Sequence, residues 1–126
     1  MSIEKTTPER RREKRVMLRD GSAYTVIRPP ANKIGGVIDI SLSGLAFSYF
    51  SIDGKVQKPE RLDILCNGDL ALENIPCETV NEFAIPNEQP FSQITMRRCC
   101  IKFGSLTPQH IEQIKDMMRN HGIADN

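Results

Sequence analysis

From residue 23 to residue 103 the chain runs as short strand-like segments separated by glycine, proline and asparagine, and that punctuation constrains the fold most. Residues 23–28 (Ala-Tyr-Thr-Val-Ile-Arg) have strand composition and end at Pro29-Pro30. Residues 33–40 are a second strand with Gly35-Gly36 near its start. Residues 45–50 are a third, with Leu45, Phe47 and Tyr49 alternating against Ala46, Ser48 and Phe50. Asp53-Gly54 signals a turn and Pro59 a loop. In residues 62–66, Leu62, Ile64 and Cys66 share one face and Asp63 and Leu65 the other. Asn67-Gly68-Asp69 then predicts a hairpin into residues 70–72. Residues 75–80 read as another strand, residues 81–90 as irregular, and residues 93–103 as the longest strand. The ending differs. Thr107-Pro108 has the form of a helix start, Ile111, Ile114, Met117 and Met118 recur at helical spacing, and Gly122 stands where a helix would stop. A mainly β fold follows: a small antiparallel β-barrel of about six strands with a C-terminal α-helix.

At 126 residues the chain is one domain. It is long enough to bury roughly two-thirds of its unfolded surface without staples. The expected layout is an arm over residues 1–8, the domain over 9–120 and a tail over 121–126. No stretch is apolar enough to span a membrane, and the polar start, Met1-Ser2-Ile3-Glu4-Lys5, lacks a signal-peptide core, so a cytoplasmic protein is expected. Cys66, Cys77, Cys99 and Cys100 form no C-x-x-C pair and no zinc pattern with His110 and His121. Reduced thiols are expected, at least one of them in the core, with no metal and no cofactor. No nucleophile–base grouping or glycine-rich phosphate loop appears, so the chain does not read as an enzyme.

The formal net charge is only +1, but its distribution is uneven. Between Arg10 and Arg19 there are six basic residues and one acid, Glu13. Such a run suits phosphate groups. Within it, Arg11-Arg12-Glu13-Lys14-Arg15 reads R-x-x-x-R. Arginine offers two forms of recognition: a planar fork for phosphate oxygens or guanine O6 and N7, and a flat face for stacking on a base. Arg15 and Arg19 satisfy the same spacing. The register Arg11/Arg15 is preferred because Val16 follows Arg15 and Val16-Met17-Leu18 leads into the barrel. Arg10 and Arg12 lie beside the pair.

Twenty-odd residues on, Asp39-Ile40-Ser41-Leu42-Ser43-Gly44 reads D-x-S-x-x-G at a strand end. Asp39 and Ser41 are spaced to share a face. A carboxylate there can accept from guanine N–H donors, and a hydroxyl can donate to phosphate or base. Gly44 would permit a positive-φ turn or a close approach of ligand to backbone. Taken alone, each of these motifs would be read as solvated charge or as turn chemistry.

In this order, with a strand-like segment between them, the two motifs resemble those of the PilZ domain family, bacterial receptors for cyclic di-GMP. The resemblance spans roughly residues 9–118 and implies the same barrel-plus-helix fold. It also implies a cyclic di-GMP site made of Arg11, Arg15, Asp39, Ser41 and Gly44, with Arg10 and Arg12 as further contacts. Ser43 stands where the family often has glycine, and Cys100-Ile101-Lys102-Phe103 meets the later family pattern only loosely. The implied role is a receptor whose arginine arm is ordered by ligand and which then signals to an effector protein. Two other classes stay open: a PilZ-like interaction module without nucleotide binding, and a small barrel that binds single-stranded nucleic acid. The latter calls for aromatic stacking platforms, and the chain has no Trp. Partner identity, ligand stoichiometry and oligomeric state are not encoded in these motifs.

Overall fold

The computed structural model describes residues 14–28, 33–52, 59–86 and 94–123. Seven strands and one helix lie within them: β1 (Val16–Met17), β2 (Ala23–Arg28), β3 (Lys33–Ile40), β4 (Gly44–Ile52), β5 (Arg61–Cys66), β6 (Asp69–Ala84), β7 (Ile94–Phe103) and α1 (Pro108–His121). Antiparallel pairing runs β3–β2–β5–β6–β7–β4 and returns from β4 to β3, which closes a six-stranded barrel. The short β1 is an extra strand on the β3 edge. The expected turn at Asp53-Gly54 lies outside the described residues.

Alternation builds the core. On β2, Ala23, Thr25 and Ile27 are buried, and on β4 Leu45, Phe47 and Tyr49 are. Each fully buried aliphatic or aromatic side chain contributes about 1.5–3 kcal/mol relative to exposure. The buried Thr25 hydroxyl is satisfied by the Asp63 carbonyl at 2.9 Å. The β5–β6 hairpin turns on Asn67 (φ 54°) and Gly68 (φ 84°), as its Asn-Gly pair predicts.

The expected strand divisions fail in β6, and with them the expectation that residues 93–103 form the longest strand, since β7 has 10 residues and β6 has 16. Residues 70–72 and 75–80 are not separate strands, and residues 81–84 are not irregular: all belong to the sixteen-residue β6. The reason is tertiary. Asp69–Pro76 pairs with β5, whereas Cys77–Ala84 pairs with β7, so one strand serves two neighbours. Asn74 at φ 61° and a register shift between Thr79 and Asn81 let it bend from one to the other. The ladder with Arg97–Cys100 holds Asn81–Ala84 extended despite weak local propensity.

Helix α1 begins with a reciprocal cap. The Thr107 hydroxyl accepts from the His110 amide at 3.0 Å, and His110 Nδ1 accepts from the Thr107 amide at 3.3 Å. Ile114 and Met117 are buried against the barrel. Gly122 does end the helix, but with φ −72°, so no left-handed residue is needed. Close packing demands glycine instead: a Cβ would sit 2.5 Å from Val16 Cγ1 and 2.4 Å from the Met118 carbonyl oxygen. The helix end is thereby stitched to the chain around β1. The Ile123 amide donates to the Met17 carbonyl at 2.8 Å and the Arg19 amide to the His121 carbonyl at 3.0 Å.

Candidate functional site

The site forms where β3, β7 and the residue just before β1 each bring one charged side chain to the outside of the barrel. Met17 pairs with Asp39 and Val16 with Ile40, so β1 lies along the second half of β3 and brings Arg15 beside Asp39. On the other flank β4 links β3 to β7: Asp39 pairs with Ala46, Ala46 with Cys100, and Ser48 with Arg98. A register shift between Val37 and Asp39 sets the carboxylate outward, while the next residue, Ile40, remains in the core.

The result is one carboxylate between two guanidinium groups. Arg15 donates to Asp39 Oδ1 at 2.8 Å, and Arg98 donates to Asp39 Oδ2 at 3.3 Å. The Asp39 side chain is only 6% exposed, whereas Arg15 and Arg98 are 49% and 34% exposed. A buried carboxylate requires such partners, since burying it unpaired costs several kcal/mol. The exposed portions of both arginines remain turned to solvent. This trio carries a net positive charge on a surface where an anion can reach it.

The other residues expected at the site divide. Arg10, Arg11 and Arg12 lie outside the described residues. Arg19 is directed elsewhere: its guanidinium donates to the Asn120 carbonyl at 2.9 Å, at the C-terminal end of α1. Of Arg15 and Arg19, Arg15 is therefore the one beside Asp39. Ser41 does not share the outward face with Asp39. It is 0% exposed. Its Oγ lies 3.0 Å from Ser43 Oγ and accepts from the Ser43 amide at 3.1 Å, while its amide donates to the Gly44 carbonyl at 2.8 Å. Ser41 thus builds the β3–β4 turn. Gly44 does not have positive φ either. It starts β4 opposite Lys102, and a Cβ there would meet the Ile101 carbonyl oxygen at 2.0 Å. Its glycine is needed for strand-to-strand packing.

Arg98 belongs to neither sequence motif. The available signal was the Arg97-Arg98 pair on an alternating strand, because neighbouring residues on a strand point to opposite faces. Arg98 goes outward to Asp39. Arg97 goes inward, where its Nε donates to Glu82 Oε2 at 2.7 Å, and the Tyr49 hydroxyl donates to the same oxygen. Glu82 is 7% exposed, and its Oε1 has no hydrogen-bond partner. This cluster ties β4, β6 and β7 together.

Two of the thiols, Cys77 and Cys99, are held protonated. Burial pushes the Cys77 thiol up to about 12 and the Cys99 thiol up to about 11. Among the described residues no group of three or more His, Cys, Asp and Glu side chains is placed to hold a metal, and no helix is long and apolar enough to cross a membrane. A cleft of about 250 Å³ lies between α1 and the β5–β6 hairpin, bordered by Leu70, Asp116, Met117 and His121. Among the described residues that line it there is no lysine or arginine.

No family model matches the chain, and no curated protein matches it. Solved structures do. The PilZ domain of YcgR from Escherichia coli, determined with c-di-GMP, superposes with a TM-score of 0.65 over 89% of this chain and 91% of that one, at 11% identity. YcgR in complex with c-di-GMP, also from Escherichia coli, gives 0.61 at 12% identity over 87% of this chain and 45% of that one. The MrkH–c-di-GMP complex of K. pneumonia gives 0.59 at 14% identity over 87% and 51%. The chain spans about half the length of the last two. At these identities the likeness is one of fold, and the chain has the fold of a PilZ domain.

Proposed function

We propose that this chain is a receptor for cyclic di-GMP that works through a partner protein and has no catalytic activity of its own. The observation that carries the reading is the pairing of Arg15 with Asp39 on the outside of a PilZ-type barrel. The R-x-x-x-R and D-x-S-x-x-G motifs are 24 residues apart at these two positions, yet they meet at 2.8 Å. Cyclic di-GMP presents two phosphates and two guanines, which match exposed guanidinium groups and a carboxylate acceptor. In this reading Arg11 and Arg15 bind phosphate and base, Arg10 and Arg12 add contacts, and Asp39 accepts from a guanine edge. Ser41 and Gly44 build the turn that sets the end of β3.

Asp39 can hold a guanine and one arginine together, since an ionised carboxylate has about four lone-pair positions. Ligand therefore replaces the Arg15–Asp39 bond while Arg15 turns to the nucleotide. Because β1 follows Arg15 and is stitched to the end of α1, the change is felt at a surface a partner can read. Action in the cytoplasm suits such a role, since the second messenger is made and read there.

Calorimetry with cyclic di-GMP, cyclic di-AMP and a single-stranded oligonucleotide tests this. Selective heat with cyclic di-GMP is expected, accompanied by slower amide exchange over residues 9 to 16. No heat at millimolar cyclic di-GMP would end the reading, and oligonucleotide binding in its place would favour the nucleic-acid alternative.

A further inference from the structure

We propose that Arg98 acts beside Asp39 as a second residue that distinguishes guanine from adenine at this site, an assignment that rests on reading the site as one for cyclic di-GMP. Arg98 belongs to neither motif and lies 59 residues from Asp39, yet its guanidinium is bonded to Asp39 Oδ2. It enters from the β7 side, opposite Arg15 on the β1 side. A guanine that offers N1–H and its exocyclic amine to Asp39 carries O6 directly beside N1. A donor already bonded to the same carboxylate is then placed to meet that O6. Adenine carries an amine where guanine carries O6, so a guanidinium donor would face another donor.

The surroundings give a base room to lie there. Arg98 pairs with Ser48 and Ser48 with Gly36, so the cross-strand row beside Arg98 toward β3 holds only a hydroxymethyl group and a glycine. Two interstrand spacings, about 10 Å, separate Arg98 from Gly36 along that row. Ser41, which the motif alone would assign to ligand, is buried and committed to its own turn. The outward donor beside Asp39 on the β7 side is thus Arg98.

The test compares Arg98→Ala, Arg98→Lys and Ser41→Ala by calorimetry with cyclic di-GMP and cyclic di-AMP at several salt concentrations, with a thermal melt of each variant. Arg98→Ala is expected to lower the preference for cyclic di-GMP about tenfold, the scale of one bidentate arginine–guanine contact in DNA readers. Its salt dependence should stay near that of the wild type, because no phosphate contact is removed. Arg98→Lys keeps the charge and loses the fork, so it should recover only part of the preference. Ser41→Ala should melt lower, since its hydroxyl closes the turn after β3. If Arg98→Ala keeps the full preference while the wild type binds selectively, the assignment to Arg98 fails and the receptor reading stands. A flattened salt dependence with unchanged preference would make Arg98 a phosphate ligand and overturn the base contact. A wild type that binds neither nucleotide overturns both.

Discussion

Arg15→Ala and Arg19→Ala should separate binding from stability, because the fold gives two arginines four residues apart different work. Arg15 is half exposed, and its ion pair with Asp39 contributes less than about 1 kcal/mol to folding after solvent screening. Its melting temperature should therefore barely change on substitution. Bound to a phosphate, the same guanidinium contributes about 1.5–3 kcal/mol. Ligand must first part Arg15 from Asp39, so the lower half of that range applies. The dissociation constant should rise about ten- to fiftyfold, since 1.4 kcal/mol is a factor of ten. The slope of log affinity against log salt should become shallower by about one unit, by the ion-release reasoning that governs DNA contacts. Arg19→Ala removes the side-chain bond to Asn120 and leaves the backbone bond to His121 in place. It should cost about 0.5–1 kcal/mol of stability, a few degrees of melting temperature for a domain of this size, and leave affinity intact. Calorimetry across a salt series and a thermal melt read both effects. Full affinity in Arg11→Ala with loss in Arg19→Ala would refute the register, and full affinity in Arg15→Ala would refute the role assigned to the chain entering β1.

Three other outcomes are expected. Asp39→Ala should reduce the ratio of cyclic di-GMP to cyclic di-AMP affinity while leaving the salt slope near wild type, and an unchanged ratio by calorimetry would remove Asp39 from the base contact. Gly44→Ala places a Cβ 2.0 Å from the Ile101 carbonyl oxygen, so it should cost about 2–3 kcal/mol and lower the melting temperature by roughly 10 °C; an unaltered melt contradicts the packing argument. The buried thiols predict a pH dependence with a definite sign. Cys77 and Cys99 keep their protons up to about 12 and 11 when folded, against 9.0 ordinarily, so between those values the folded chain holds more protons than the unfolded one. Stability from these groups is then complete below about pH 9 and lost as pH rises toward 11 to 12. Urea unfolding at pH 8 and pH 10 should show the decline, absent in a Cys77→Ala, Cys99→Ala double variant.

Short windows of this chain carry their own conformation, which is why much of the barrel can be read without coordinates. Asn67-Gly68 supplies two positive-φ residues in a row, and only a tight hairpin uses them. Ala23, Thr25 and Ile27 alternate because a strand does, and Thr107-Pro108 opens a helix because a hydroxyl acceptor before a proline satisfies its first turn. Arg15 and Asp39 could be named for the same reason: each sits in a motif only a few residues long.

Registry across the barrel could not be read that way. No local preference carries Asn81–Ala84 on as strand; the ladder to β7 does. Ser41 has the spacing of an outward residue, but the turn to Gly44, which its amide and hydroxyl close, buries it. Arg98 reaches Asp39 only because β4 lies between β3 and β7 and aligns Ser48 with Arg98 and Ala46 with Asp39. Gly44 and Gly122 are glycines because a neighbouring strand and the chain near β1 come too close for a Cβ, a demand made by residues far away in sequence. Backbone preference acts within a few residues, so turns and alternation are written locally. Which side chains meet depends on how six strands slide past one another, and the packed core settles that for all of them at once.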